Sequence, residues 1–146
     1  MATVSQLLAV KGHVVHTIDK TATVFDAIGK MVTRNVGALV VMDGADPVGM
    51  LTERDYLKKI ALQGRSSRTT LVKEVMADRL LFVSLDTEVE ECMALMTQKR
   101  IRHLPVLAEG RMCGIVSIGD IVKLLASDRK MQIEQLTAYI QGSATA

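Results

Sequence analysis

A chain that repeats itself at a fixed spacing is confined to architectures built from stacked copies of one unit, so self-similarity is the first thing to establish. Sliding this sequence along itself by 65 residues aligns Val24–Ala61 with Val89–Ala126 without a gap. The identical pairs are Val24/Val89, Met31/Met96, Leu39/Leu104, Val41/Val106, Gly49/Gly114, Asp55/Asp120, Lys58/Lys123 and Ala61/Ala126. Between them lie similar pairs such as Asp26/Glu91, Val36/Ile101 and Thr52/Ser117. The apolar positions stay in register throughout, which points to a duplicated unit.

Each unit has a readable order. In "TVFDAIGKMVTRN" the residues Val24, Ala27, Ile28, Met31 and Val32 share one helical face that ends near Asn35-Val36-Gly37. "ALVVM", the Asp43-Gly44 turn signal and "PVGML" read as a hairpin, and "ERDYLKKIAL" as a second helix. A short strand around His16–Ile18 completes a β-α-β-β-α unit. The second copy runs "LLFVS", "EVEECMALMTQKR", "HLPVL", "EGRMCGIV" and "GDIVKLLAS". "QGRSSRTT" separates the copies, and the short amphipathic "LVKEVM" after it pairs with "VSQLLA" near the N-terminus. The expected division is 1–68, the first unit with N-terminal segment and linker; 69–128, the second unit; and 129–146, a C-terminal helix and tail. Met131, Leu136 and Ile140 give that helix an apolar stripe, to pack on its own domain or on a second copy.

Composition narrows the function. Apolar residues make up 49% of the chain, enough for a core, but aromatics are 3%, too few for the stacking platforms of single-strand nucleic-acid binding. A net charge of +2 without long like-charge runs argues against a broad phosphate-backbone footprint. No apolar run approaches the ~18 residues of a membrane span, and "MATVSQLLAVKG" lacks a signal-peptide pattern. Cys92 and Cys113 share no metal or redox spacing and read as buried thiols in a reducing compartment. The expectation is a soluble cytoplasmic protein with no nucleic-acid or membrane partner. His13, His16 and His103 have no metal-ligand spacing, so no metal is expected. No nucleophile–base order suggests catalysis, and the duplicated Asp residues occupy matching rather than complementary surroundings, which favours binding over an enzyme.

The duplicated "GMLTERD" and "GIVSIGD" have two readings. Thr52 with Asp55 and Ser117 with Asp120 match a capping box, although Asp is one methylene shorter than the usual Glu. Alternatively, a helix starting straight after a buried strand presents amides and its positive dipole end to a ligand. A hydroxyl there suits phosphate, and an Asp one turn on suits the two hydroxyls of a ribose.

"DAIGKMVTRNVGALVVMDGADPVGMLTERDYLKKI" and "ECMALMTQKRIRHLPVLAEGRMCGIVSIGDIVKLL" together resemble a tandem pair of CBS motifs, a Bateman module. The likeness is greatest to two-motif proteins of bacteria and plant organelles, which share "ERDYxxK", "GRSS" and "RxRHLPV"-like stretches. It implies an α/β fold of two pseudo-symmetric repeats packed through their sheets, with two clefts for adenosyl ligands. AMP is the first expectation; ATP, ADP, NAD(H) or S-adenosylmethionine are others. By motif, one cleft would use Ser117, Gly119 and Asp120, with an adenine wall from Thr17, Ala22, Val36, Gly37 and Ala38. The other would use Thr52, Arg54 and Asp55, with Val83, Ile101, Arg102 and His103. Arg65, Ser66 and Arg100 are secondary phosphate candidates, beside the plainer readings of a polar linker and a solvated helix exit. Because Gly119 stands where the first copy has Arg54, the two clefts should differ in ligand. The resemblance further implies a homodimer that regulates an unidentified protein by nucleotide occupancy; a ligand-independent interaction adaptor with the same fold is the alternative.

Overall fold

The structure, a computed structural model, describes residues 2–140. Helix α1 (Val4–Lys11) leads into the first repeat: β1 (Thr17–Asp19), α2 (Val24–Arg34), β2 (Ala38–Asp43), β3 (Asp46–Thr52) and α3 (Glu53–Tyr56). Helix α4 (Val72–Val75) leads into the second: β4 (Val83–Ser84), α5 (Val89–Lys99), β5 (His103–Ala108), β6 (Arg111–Ser117) and α6 (Ile118–Ile140). Each repeat forms a three-stranded mixed sheet, ordered β1-β2-β3 or β4-β5-β6. The first two strands are parallel across the intervening helix, and the last two form an antiparallel hairpin. Both hairpins carry a register shift, between Val41 and Met42 and between Val106 and Leu107, at matching positions of the two copies.

The helices follow from the sequence pattern. α2 buries Val24, Ala27 and Met31 and half-buries Ile28, whereas Val32, expected on the same face, is 76% exposed at its edge; α5 buries the equivalent Val89, Cys92 and Met96. Thr23 caps α2 by accepting the Asp26 amide at 3.1 Å. The two helices end on Asn35 (φ 54°) and Arg100 (φ 56°), both in the left-handed conformation common at helix exits. The second hairpin turns on Glu109 (φ 53°) and Gly110 (φ 75°), the two positive values a type I′ turn demands.

Two expected helices differ in form. "ERDYLKKIAL" is a single α-helical turn followed by a π-helical turn, Leu57–Ala61, in which the Leu62 amide reaches the Leu57 carbonyl at 3.0 Å. The expected tail helix is no separate element: nothing between Ile118 and Ile140 breaks a helix, and α6 runs through all 23 residues. In its far half Met131, Ile133 and Leu136 are exposed. The side chain of Ile140 and residues 141–146 fall outside the described part.

Packing crosses the boundary expected at residues 68 and 69. Val4, Leu7 and Leu8 of α1 lie in the core of the second repeat, with Val89, Leu104, Val116 and Ile121. Val72 and Val75 of α4 lie in the core of the first, with Val24, Leu39, Leu51 and Ile60. α1 and α4 therefore occupy different cores instead of pairing with each other. Equivalent backbone bonds anchor them: the Val4 amide donates to the Thr87 carbonyl, and the Val72 amide to the Ala22 carbonyl, each at 2.8 Å. The repeated glycines make room for these segments. A Cβ at Gly114 would stand 2.7 Å from Leu8 Cδ1, and one at Gly49 would stand 2.6 Å from the Ala77 carbonyl oxygen.

A third cluster joins the repeats through their sheets: Ala38, Val40 and Met50 meet Met112 and Ile115. Cys92 and Cys113 are unpaired thiols; Cys92 is buried as expected, whereas Cys113, in β6, is only half-buried. No described helix is long and apolar enough to cross a membrane.

Candidate functional site

Both copies of the repeated motif form capping boxes. The Thr52 amide donates to Asp55 Oδ2 at 2.9 Å while the Asp55 amide donates to Thr52 Oγ1 at 3.4 Å. The Ser117 amide donates to Asp120 Oδ2 at 2.8 Å, and the Asp120 amide to Ser117 Oγ at 3.1 Å. The shorter Asp closes the reciprocal pair because each box starts a helix directly from a strand end. Capping does not exhaust these carboxylates, whose further partners differ.

Asp120 lies in the wall of a cavity of about 400 Å³, within the ~300–1,000 Å³ common for small-molecule sites. Both repeats line it. The first contributes the α2–β2 connection, Asn35 to Ala38, and His16; the second contributes His103, Ile115, Ser117 and Asp120. The end of α1 closes it with Lys11 and Gly12, and Val14 adds an apolar surface. Of the residues carried over to the first cleft, Val36, Gly37, Ala38, Ser117 and Asp120 line this cavity, and Thr17, Ala22 and Gly119 are not among its lining. Thr17 is held in β1 opposite Val40, its carbonyl accepting Lys30 Nζ. Ala22 packs against the first core.

His103, grouped with the other cleft in the sequence reading, lines this cavity as well. Antiparallel register explains it, because His103 is the cross-strand partner of Ser117. Thr52, Arg54 and Asp55 begin α3, where Asp55 Oδ1 also meets Lys59 Nζ at 3.4 Å. Val83 is buried in the second core and Ile101 packs on it. Arg102 is exposed, its carbonyl accepting the Ile118 amide at 3.0 Å. Arg100 is the exposed end of α5. Arg65 pairs with Glu74 at 3.4 Å, and Ser66 accepts the Thr70 hydroxyl on its carbonyl at 2.7 Å and the Arg68 amide on its hydroxyl at 3.3 Å, so both help fold the linker.

Lys11 and His16 line the cavity although neither was expected in a cleft. Lys11 Nζ donates to Asp120 Oδ2 at 2.6 Å and to the Ile115 carbonyl at 2.7 Å. Neither lies in the repeated segment, so comparison of the copies does not reach them. The one available signal was a lysine at the last position of a helix with its own N-terminal cap.

The electrostatics centre on that ion pair. Burial pushes the Asp120 carboxyl up, but hydrogen bonds from Lys11 and Ser117 and the Lys11 charge together hold it below the ordinary carboxylate value. Burial lowers the His103 pKa first, and Lys11 and Arg102 lower it further against the pull of Asp120. The cavity thus offers one ammonium, two imidazoles, one carboxylate and a hydroxyl. A second depression of about 460 Å³ lies across the Val36-Gly37 turn, but the one charged group lining it is Glu53. Its chemistry does not suit an anion. Among the described residues, no three His, Cys, Asp or Glu side chains are grouped to hold a metal ion.

Comparison with known proteins agrees with this architecture. The profile of the CBS domain matches residues 10–62 and again 72–127. CBSX3, a mitochondrial CBS domain-containing protein of Arabidopsis thaliana, is 46% identical over 125 residues, covering 82% of this chain. The chain spans 61% of the length of CBSX3. The solved structure of a CBS-domain protein from Burkholderia ambifaria MC40-6 superposes with a TM-score of 0.84 at 45% identity, covering 87% of this chain and 96% of that one. The CBS pair of protein MJ0100, in complex with 5′-methylthioadenosine and S-adenosylmethionine, shares the fold at 22% identity and a TM-score of 0.76, covering 88% of this chain and 98% of that one. With both halves matched and both folded alike, this chain is a member of the CBS domain family, carrying two CBS domains in tandem.

Proposed function

We propose that this CBS pair is a regulatory module that binds an adenine nucleotide between its repeats and acts on a partner protein rather than as an enzyme. CBS pairs are a module that binds adenosyl ligands. The observation that carries the reading here is the cavity lined by both repeats, where Ser117 and Asp120 stand beside Lys11, His16 and His103. The base would lie along Val36, Gly37, Ala38 and Ile115, the ribose on Asp120, and the phosphate beside the Lys11 ammonium. AMP fits this division best; ATP, ADP, NAD(H) and S-adenosylmethionine are the competitors. A second cleft of the same design would use Thr52, Arg54 and Asp55 with Ile101 and Arg102. Because the cavity wall belongs to both repeats, a ligand that prefers one relative arrangement of the sheets shifts the molecule toward it.

Isothermal titration with AMP, ATP and NADH tests the reading, alongside native mass spectrometry for copurified nucleotide. Saturable binding to the folded protein, weakened by Asp120→Ala, is the expected result. No saturable heat with any adenosyl compound sinks it.

The ligand-independent adaptor has one observation in its favour: Asp55 and Asp120 already serve the fold through their caps and ion pairs. An adaptor captures its partner equally with and without nucleotide, whereas the sensor's capture changes. We further propose a homodimer that uses the exposed apolar positions of α6, in a reducing compartment, the cytoplasm first. Burial pushes the Cys92 thiol up to about 11, which suits an inert core thiol.

A further inference from the structure

Lys11 reaches the cavity from outside the repeats. Its helix is fixed on the second repeat because Leu8 sits against Gly114, where a Cβ would come within 2.7 Å of Leu8 Cδ1. The helix stops at Gly12, whose φ of 102° turns the chain away and whose amide donates to the Leu8 carbonyl at 2.7 Å. This leaves the Lys11 ammonium 2.6 Å from Asp120 Oδ2, on the same oxygen that takes the Ser117 amide at 2.8 Å. The Ile115 carbonyl at 2.7 Å gives the ammonium a second anchor. The other motif is arranged differently. Asp55 holds its cap on Oδ2 and meets Lys59, four residues along its own chain, on Oδ1 at 3.4 Å.

We infer that Lys11 is a specificity-determining residue of the first cleft, an internal cation that selects phosphorylated adenosyl ligands over uncharged or cationic ones. The inference rests on the nucleotide reading above and concerns which member of that class the cleft takes. A ribose that engages Asp120 must share or displace the ammonium already there. A displaced ammonium stays within the cavity and needs an anion to replace the carboxylate it gives up. The phosphate of AMP supplies one; adenosine carries none, and S-adenosylmethionine offsets its single carboxylate with a sulfonium and an ammonium of like charge to Lys11. While Lys11 is in place His103 adds no second cation, since burial and the Lys11 charge both disfavour its protonated form. Charge-assisted bonds of this kind are about twice as strong as neutral ones, so one residue can set the preference.

The test is isothermal titration of AMP and adenosine into the full chain and its Lys11→Met and Lys11→Arg variants. The Lys11 side chain is 29% exposed at a helix end, and Met keeps its apolar stem, so the fold should tolerate the change. With the Lys11→Met protein, AMP is expected to weaken by about tenfold and adenosine to tighten by several-fold, a change of preference that one charge-assisted contact can carry. Lys11→Arg should keep the preference for AMP. Should Lys11→Met melt below the working temperature, Lys11→Gln is read by the same ratio. An AMP-to-adenosine ratio unchanged in the charge-removed protein, with both ligands still binding, overturns the role of Lys11 and leaves the nucleotide reading standing. Absence of binding by either compound to the unaltered protein overturns both.

Discussion

One oxygen of Asp120 accepts both the amide that caps α6 and the ammonium of Lys11, so its charge matters to stability whether or not a ligand is present. Asp120→Asn removes the charge from both partners and is expected to cost about 1–2 kcal/mol, the upper range for loss of a cap. The pH dependence has a definite sign. Asp120 is held below its ordinary 3.8, so its contribution is complete well above that value and is lost as pH falls through the lower folded value. The difference in thermal midpoint between the unaltered protein and Asp120→Asn should be widest near neutrality and begin to narrow only below about pH 4. His103 works at a higher window. Its pKa is lowered from 6.5, so the unfolded chain takes up the proton first and stability falls as pH drops below 6.5. His103→Gln is expected to flatten the midpoint-against-pH curve in that window, above the range where Asp120 acts. The repeated glycines also differ in kind. Gly49→Ala meets the Ala77 backbone oxygen at 2.6 Å, whereas Gly114→Ala meets the end of the Leu8 side chain. Backbone cannot swing aside as a methyl can, so urea denaturation should show Gly49→Ala the more damaging, by about 1–3 kcal/mol of overpacking cost. The sequence displayed both glycines as a repeated pair; their reason lay in the segments that press on them.

At the scale of elements, the helices and hairpins were legible because each has its own periodicity and its own stop signals. α2 and α5 end where Asn35-Val36-Gly37 and its counterpart predicted, and both hairpins fall on their turn residues. The π-helical turn after Tyr56 was not legible, since its wide bonds leave the apolar spacing of "ERDYLKKIAL" looking like an ordinary helix. The exchange of α1 and α4 between cores was not legible either. Each has an apolar face that fits any complementary groove, and nothing local says which repeat will supply it. This exchange predicts where damage will appear. Leu8→Ala should cost about 2–5 kcal/mol, as for other fully buried leucines. Removing residues 1–11 should strip hydrogen-exchange protection from β4–β6 before β1–β3, although β1 is the nearer strand in sequence. Loss of protection in β1–β3 first would mean that α1 supports the repeat it precedes.

For the whole molecule, two copies of one unit place their Ser/Thr–Asp boxes in unequal surroundings, because residues inside the repeat and the segment before it differ. Lys11 comes from α1, His103 is placed by the β5–β6 register, and the α2–β2 connection comes from the opposite repeat. The long α6 has the same consequence for assembly. Met131, Ile133 and Leu136 are 54%, 59% and 60% exposed, more apolar surface than a helix extending from the fold gains by leaving uncovered. If they join two copies, Met131→Glu with Leu136→Glu should halve the mass seen by sedimentation while leaving the thermal midpoint of the monomer measurable. What the sequence by itself determined was the unit: a duplicated β-α-β-β-α pattern, its helix faces, its hairpin turns and the Ser/Thr–Asp boxes that start α3 and α6. These depend on neighbours within a few residues, where spacing and backbone preference act directly. Only the tertiary structure decided which helix completes which core, that His103 shares a cavity with Ser117, and that Lys11 lies on Asp120 from 109 residues away. Those placements depend on shape and charge brought together across the chain, and no local pattern encodes the partner.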